Sequence, residues 1–475
     1  MTFRHLLAGA FAIGVSMSLA GPGTAKTGWT PAELAARTVE RRAVEAVIWG
    51  MPSVNYDLML QEMLTKTKGK VNQIVYWSRL PDWKNQTLTP NPDSIYLMPF
   101  IDTKDVGPVV LEIPPAEGGS ITGSIDDAWQ AALEDVGPAG VDKGKGGKYL
   151  ILPPGYKDKA PDGYIALPSN TYQSYALLRS ILKSGSAADV AKAVEYGKRV
   201  KLYPLSEASN PPPTEFVDAI DVVFDATIPY DIDFYKSLDR MVQYEPWLER
   251  DKAMIDMLKS IGIEKGKPFA PDAGTQTALK AAAQEAHAYL DMRYEQLFGA
   301  TYYDSAHWAV PATPAVIEGM STQFAKPGDY PTEGRGVAYS MGFFSAKHLG
   351  AGQFYLMTFR DAGGKQFDGA KTYRLTVPAK APVSQYWSAT AYNRATHALI
   401  RDQKWSSRSS QNTDIQKNAD GSVDVFFGPK APNGKESNWV PTSAKGKFEV
   451  LFRLYGPEKP LFDKTWVLPD IEKTK

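Results

Sequence analysis

The chain has 475 residues, a length that suggests two or three domains, each able to bury a core of its own. Its 43% hydrophobic and 22% charged residues are those of a globular protein and exclude a disordered one. The 53 basic residues balance 53 acidic ones and no Lys/Arg cluster stands out, which excludes a general nucleic-acid binder. The 24 Tyr and 11 Trp suit strand surfaces and ligand grooves, and 35 Pro punctuate a loop-rich β protein.

Residues 1–25 have the pattern of a secretory signal peptide. Arg4 supplies the positive start, Leu6 to Leu19 the apolar run, and Gly23 and Ala25 the small residues before a cut ahead of Lys26. The run is too short to span a bilayer of about 30 Å as a helix. The expected location is periplasmic or secreted, with no membrane attachment after cleavage. The chain has no Cys, so disulfides, a thiol nucleophile and a thiolate metal site are excluded.

Thr30 as N-cap, Pro31 at the first helical position and Glu33 in a capping box predict a helix with Ala36, Val39, Ala43 and Val47 on one face. Gly50–Met51–Pro52 is expected to end it, and a second helix is expected from Tyr56 to Lys66. From Val71 the pattern changes to short β runs bounded by Pro or Gly. They cover 72–77 and 94–100 around the turn TLTPNPDS, then 109–113, 120–125, 149–152 and 164–167. In 171–182 the residues Tyr175, Leu177, Arg179 and Ile181 alternate onto one side, and a helix capped by Ser186 follows. The stretch 137–148 reads as a surface loop and 209–215, SNPPPTE, as a linker. Helical spacing then predicts helices from Phe216 to about Phe298.

After about Gly336 the chain is β again. Tyr373, Leu375 and Val377 alternate, as do Val423, Val425 and Phe427. Phe448, Val450, Phe452 and Leu454 point one way, while Glu449, Arg453 and Tyr455 point the other. The fold class expected is mainly β with α (α+β): a mixed β domain over 26–205, a helical connector over 206–335, and a sandwich or jelly-roll domain over 336–475.

The ordered motifs TPNPDSIY (89–96), IDTKDVGPVVLEIP (101–114) and LLRS (177–180) resemble the first half of a two-domain bacterial family. YWSATAYN (386–393), NADGSVDVFFG (418–428), NWVP (438–441) and FRLYGPEKPLFDKTWVLPDI (452–471) resemble its second half. The family is catalogued as a pair of domains of unknown function, numbered 1254 and 1214. The resemblance covers roughly 70–205 and 335–470; it implies architecture and carries no reaction.

Several chemistries are tested by absence. There is no Gly-x-Ser-x-Gly elbow, no phosphate-loop or dinucleotide glycine spacing, and no HExxH. After the signal, only His287, His307, His348 and His397 remain, none at metal-binding spacing from another. Asp231-x-Asp233 and Asn418-x-Asp420 look calcium-like for two ligands only and read better as a cap and a turn.

The polar residues left are candidates for a site. Asn91 and Asp93 enter a strand from a double-proline turn, either closing an Asx-turn or touching a ligand. Asp126 and Asp127 lie just before Trp129; they either cap a helix that starts there or act as acid and base beside an indole. Arg179, on a mostly apolar face, needs a carboxylate from the protein or from a ligand. Arg453 is accounted for by cross-strand pairing, and His397 is the best single titrating group.

Two functions are expected from these residues. One is a hydrolase of a glycan or glycopeptide using Asp126, Asp127 and Asp93, with Asn91, Trp129, Arg179 and His397 as ligand contacts, in a cleft between the domains. The other is a non-catalytic envelope protein that binds a small-molecule, glycan or protein partner. A structural Mg or Ca on oxygen ligands and a homo-oligomer are further expectations.

Overall fold

The computed structural model describes residues 28–342, 346–350 and 352–474. The signal pattern at 1–25 lies outside them. Helix α1 (Pro31–Thr65) starts as expected, with the Thr30 hydroxyl accepting from the Glu33 amide and the Glu33 carboxylate accepting from the Thr30 amide. It does not end at Gly50–Pro52: one helix runs through both expected ones. Pro52 forfeits a hydrogen bond at a cost of about 3 kcal/mol. The segment Ala46–Asp57 is nevertheless buried on every side, and surrounding the helix with packing outweighs that loss.

The first domain holds β1 (Gln73–Tyr76), β2 (Asn85–Gln86), β3 (Ile95–Asp102), β4 (Val109–Ile113), β5 (Ile121–Asp127) and β6 (Ala132–Val136). It continues with β7 (Gly147–Leu152), β8 (Ile165–Pro168), β9 (Gln173–Ser180), α2 (Ala187–Gly197) and β10 (Lys201–Pro204). Two further strands, β11 (Phe216–Asp218) and β12 (Phe224–Asp225), pair parallel with β1 and β2, so the chain after the proline linker is not yet helical. An open sheet edge takes up these short apolar runs and overrides their helical spacing.

A six-stranded sheet, in the order β11-β1-β3-β9-β5-β6, packs on a four-stranded one, β10-β4-β7-β8. Leu97, Ile121, Ile125, Ala176 and Leu178 meet Val109, Leu111, Tyr149 and Ile151 between them. The opposite face of the larger sheet carries Tyr96, Met98, Phe100, Tyr175 and Leu177 against Tyr56, Met59, Leu60 and Met63 of α1. With both faces covered, β3 and β9 are buried along their whole length, and the period-2 rule places Arg179 on the α1 side.

No helix begins at Asp126 or Asp127. Residues 128–131 turn β5 into β6, and Asp127 accepts from the amides of Trp129 and Ala131. Two acceptor bonds inside a tight turn replace the expected N-cap. The glycine-rich stretch 137–148 is tied down by Asp142, which accepts from the amides of Gly137 and Gly146 and from the Tyr149 hydroxyl.

Helices α3 (Ile232–Tyr244), α4 (Met254–Lys259), α5 (Ala273–Leu297), α6 (Pro314–Ser321) and α7 (Thr332–Met341) wrap α1. Asp231 is the N-cap of α3, accepting from the Asp233 amide. The second β region holds β13 (Gln353–Thr358), β14 (Tyr373–Val377), β15 (Val383–Asn393), β16 (Ser407–Ser409) and β17 (Val423–Gly428). It ends with β18 (Trp439–Pro441), β19 (Phe448–Pro457) and β20 (Glu472–Lys473).

Sheets β13-β19-β15-β16 and β18-β17-β14-β20 form a sandwich. Phe448, Val450, Phe452 and Leu454 face Leu375, Val377, Val425 and Phe427 in its core. The alternate residues of β19, from Glu449 to Tyr455, are therefore turned away from that core, toward α1 and the first domain. Among the described residues no helix is long and apolar enough to cross a membrane.

Candidate functional site

The turn Thr87–Asp93 projects from the first domain onto the outward face of β13-β19-β15-β16. Pro90 and Pro92 restrict both their own φ and the preceding residues, so the turn is stiff. The Thr89 amide donates to the His397 carbonyl at 2.8 Å, and the Tyr392 hydroxyl donates to the Pro90 carbonyl at 2.6 Å. Ser407 donates to the Asp93 carboxylate. Burial raises the Asp93 pKa, against Ser407, Arg453 and Arg408, which lower it.

Beside this turn residues of the two domains line a chamber. Two arginines reach it from opposite domains, Arg179 on β9 and Arg453 on β19. Both are buried, at 7% and 2% exposure. Among the described residues neither forms an ion pair with a carboxylate. Arg453 donates to the Thr89 carbonyl at 2.7 Å, the Tyr392 hydroxyl at 2.6 Å and the Thr390 hydroxyl at 3.0 Å, all neutral acceptors. Arg179 donates from Nε to the Tyr96 hydroxyl at 3.4 Å, and its guanidinium lies 5.2 Å from the Tyr96 ring centre. Thr390 and Tyr392 lie on β15, the strand paired with β19, so the cross-strand pairing expected for Arg453 is formed, with hydroxyls. Glu449, four residues away on the same face, is taken by His397 and Tyr294.

Asn91 is the centre of the polar network. Its Oδ1 accepts from the Asp93 amide at 3.0 Å, the expected Asx-turn. That bond fixes which way the side-chain amide faces, so Nδ2 is directed at the hydroxyls of Tyr386, at 2.8 Å, and Tyr455, at 3.1 Å. Its backbone amide donates to the Tyr96 hydroxyl at 2.8 Å. These three phenol oxygens are thus used as acceptors. Burial pushes the pKa values of Tyr386 and Tyr455 up, so both keep their protons. Among the described residues, no protein acceptor takes the protons of Tyr96 and Tyr386 or the N–H groups at the two ends of the Arg179 guanidinium. Tyr355 and Tyr455, 3.5 Å apart, can satisfy only one of their two protons between them. Arg179 and Tyr96, which line the chamber, therefore present N–H and O–H groups there without a protein acceptor among the described residues.

The other expected residues lie elsewhere. Asp126 is fully buried in the first domain and, after burial itself, helps push up the pKa values of Tyr175 and Tyr339. Asp127 is the turn acceptor described above, and successive strand residues point to opposite faces. Trp129 packs against Trp49 with ring centres 4.6 Å apart, and its carbonyl accepts from Arg335. His397 has a positive φ of 54°, and its Nδ1 lies 2.7 Å from Glu449. Of the seven candidates, Arg179 lines the chamber, and Asn91 and Asp93 stand behind it in the turn whose Thr87–Pro90 segment does. Among the described residues no group of three or more His, Cys, Asp or Glu is placed to hold a metal ion.

Sequence reasoning missed Tyr96, Tyr355, Tyr386, Tyr392 and Tyr455. A signal was present. Tyr386 and Tyr392 in YWSATAYN have the even spacing of Arg453 and Tyr455 in FRLYGP, which marks a polar aromatic sheet face.

Residues 71–204 match the family described as Protein of unknown function (DUF1254), and residues 352–459 match Protein of unknown function (DUF1214). No curated protein matches the chain. Among solved structures, the chain is similar to the VPA0106 protein from Vibrio parahaemolyticus, at 17% identity and a TM-score of 0.56 over 92% of this chain and 100% of that one. It also matches an uncharacterized protein from Burkholderia cenocepacia, at 11% identity and a TM-score of 0.43 over 93% of this chain and 96% of that one. The first likeness extends the fold across both domains and the helices between them. With both domains in the expected order in one chain, the protein belongs to the family that pairs DUF1254 with DUF1214.

Proposed function

We propose that the protein is an exported ligand-binding protein that takes a small organic anion with an apolar body into the chamber between its domains. One observation carries this reading: two buried arginines from opposite domains, neither in an ion pair with a carboxylate among the described residues, converge on a cluster of phenols. An unmatched buried charge is costly, and a bound anion removes that cost. The apolar part of the chamber supports the second half of the reading. Met59, Met98, Met341 and Met357, with Leu177 and Leu451, line it, and unbranched methionines adapt to ligands of varied shape. Export is supported by the pattern of residues 1–25 alone.

A glycan hydrolase has less support, because Asp126 and Asp127 are committed inside the first domain and Asp93 is held by Ser407. The test is a thermal-shift comparison of octanoate with octanol and octylammonium. At a concentration about 100 times Kd, a ligand bound only by the folded state adds about 2.7 kcal/mol. Octanoate should raise the melting temperature and the other two should not. Equal shifts from all three would overturn the reading.

A further inference from the structure

The donors in the chamber specify the head group of its ligand, an inference that rests on the anion-binding reading above. We propose that the head is a tetrahedral oxyanion carried on a single ester link, such as a phosphate or sulfate monoester, and that Asn91 is the positioning residue that makes the site select it.

A carboxylate presents two oxygens with about four lone-pair sites, all in one plane. A phosphoryl or sulfuryl ester presents three terminal oxygens spread in three dimensions. The donors without a protein acceptor come from several directions. The two ends of the Arg179 guanidinium reach in from β9, the Tyr96 hydroxyl from β3 and the Tyr355 hydroxyl from β13, with Tyr455 behind Tyr355 at 3.5 Å. Three oxygens spread in three dimensions match donors that come from three strands of two domains better than two coplanar oxygens do. Arg179 and Arg453 together also favour a head with more than one negative charge.

A phenol can donate or accept, so tyrosines alone do not make an anion site. Asn91 decides it. Its Oδ1 is occupied by the Asp93 amide, which leaves only N–H groups to offer Tyr386 and Tyr455, while its backbone amide does the same to Tyr96. Three phenols forced to accept at Asn91 must send their own protons elsewhere, and Tyr96 also accepts from Arg179. Asn91 is fully buried behind these hydroxyls and acts through them. Replacing Asn91 by Asp keeps the shape but offers acceptors in place of donors, so Tyr386 and Tyr455 would turn their protons inward.

The experiment is calorimetric titration of the full protein with octyl phosphate, octyl sulfate, octanoate and octanol, each below its micellar concentration. At least one ester should bind ten times more tightly than octanoate, and the order of the two esters identifies the preferred head. Asn91→Asp should weaken the preferred ester at least thirtyfold and octanoate by a smaller factor. Should Asn91→Asp fail to fold, Tyr96→Phe removes one proton at the chamber wall and should cost that ester about tenfold while leaving octanol unchanged. Octanoate binding as tightly as both esters would overturn the inference and leave the anion reading standing. Octanol binding as tightly as every anion would overturn both.

Discussion

Glu245, at the C-terminal end of α3, couples the connecting helices to the first domain and makes that coupling depend on pH. Its carboxyl is buried at 3% exposure and accepts from the amides of Tyr172 at 2.7 Å and Gln173 at 2.9 Å, where β9 begins. Burial raises its pKa from 4.5 to about 7, with Asp102 and Asp127 adding to the rise and the two amides opposing it. A carboxyl with a raised folded pKa binds its proton more tightly in the folded state. Its contribution is therefore complete below pH 4.5 and is lost as pH rises through about 7. At about 1.4 kcal/mol per pH unit, that loss amounts to about 3 kcal/mol. Glu245→Gln keeps the shape and cannot ionise. The assay is urea unfolding of wild type and variant at pH 5 and pH 8, with amide exchange at Tyr172 and Gln173 as the local readout. Subtracting the two proteins cancels all other titrations, and the wild type should lose about 2.5 kcal/mol more than the variant between the two pH values, the rest of the loss lying below pH 5. Parallel pH profiles would refute the reasoning. A wild type that weakens on acidification instead would show that the two amides hold the carboxylate ionised.

Three further substitutions test the packing and the site. Arg179→Met should leave the ligand-free protein as stable as the wild type or up to about 2 kcal/mol more stable, because a buried unpaired charge is replaced by a side chain of similar volume. The same variant should lose octanoate binding, and a drop of more than about 2 kcal/mol in urea unfolding would instead make Arg179 structural. Glu449→Ala leaves His397, Tyr294 and Arg394 around a lost buried carboxylate, so unfolding free energy should fall by about 3–5 kcal/mol. Gly336→Ala places a Cβ 2.8 Å from the Ile48 carbonyl of α1. The resulting separation of α7 from α1 should outweigh the gain in helix propensity of about 1 kcal/mol and lower the urea midpoint.

Parts of the site were legible in one dimension. The double-proline turn placed Asn91 and Asp93 on a rigid support, and alternation in β9 put Arg179 on a face where it needed a partner. What one dimension could not supply was the partner's identity. A lone arginine on a strand reads as half of an ion pair, because most buried arginines are. Only with both domains in place is it evident that Glu449 is held by His397 and Tyr294, and that Arg453 faces Arg179 across the same phenols. Asp126 and Asp127 were misleading for the opposite reason. Acidic residues ahead of a Trp look chemical, yet a tight hairpin turn consumes Asp127 through the amides of Trp129 and Ala131.

By itself the amino-acid sequence determined whatever depends on neighbours close along the chain: the Thr30 capping box, the Ser186 cap, strand faces of period 2, the sandwich core of Phe448 to Leu454, and the two family signatures. The tertiary structure decided what depends on competition between distant groups. It carried α1 through Pro52 because burial on all sides outweighs one missing hydrogen bond. It drew 216–218 and 224–225 into sheet edges that offered pairing. It also brought two arginines from strands more than 270 residues apart into one chamber. Charge without an ion-pair partner is visible only once the distant groups around it are placed, and that placement depends on the fold rather than on neighbours along the chain.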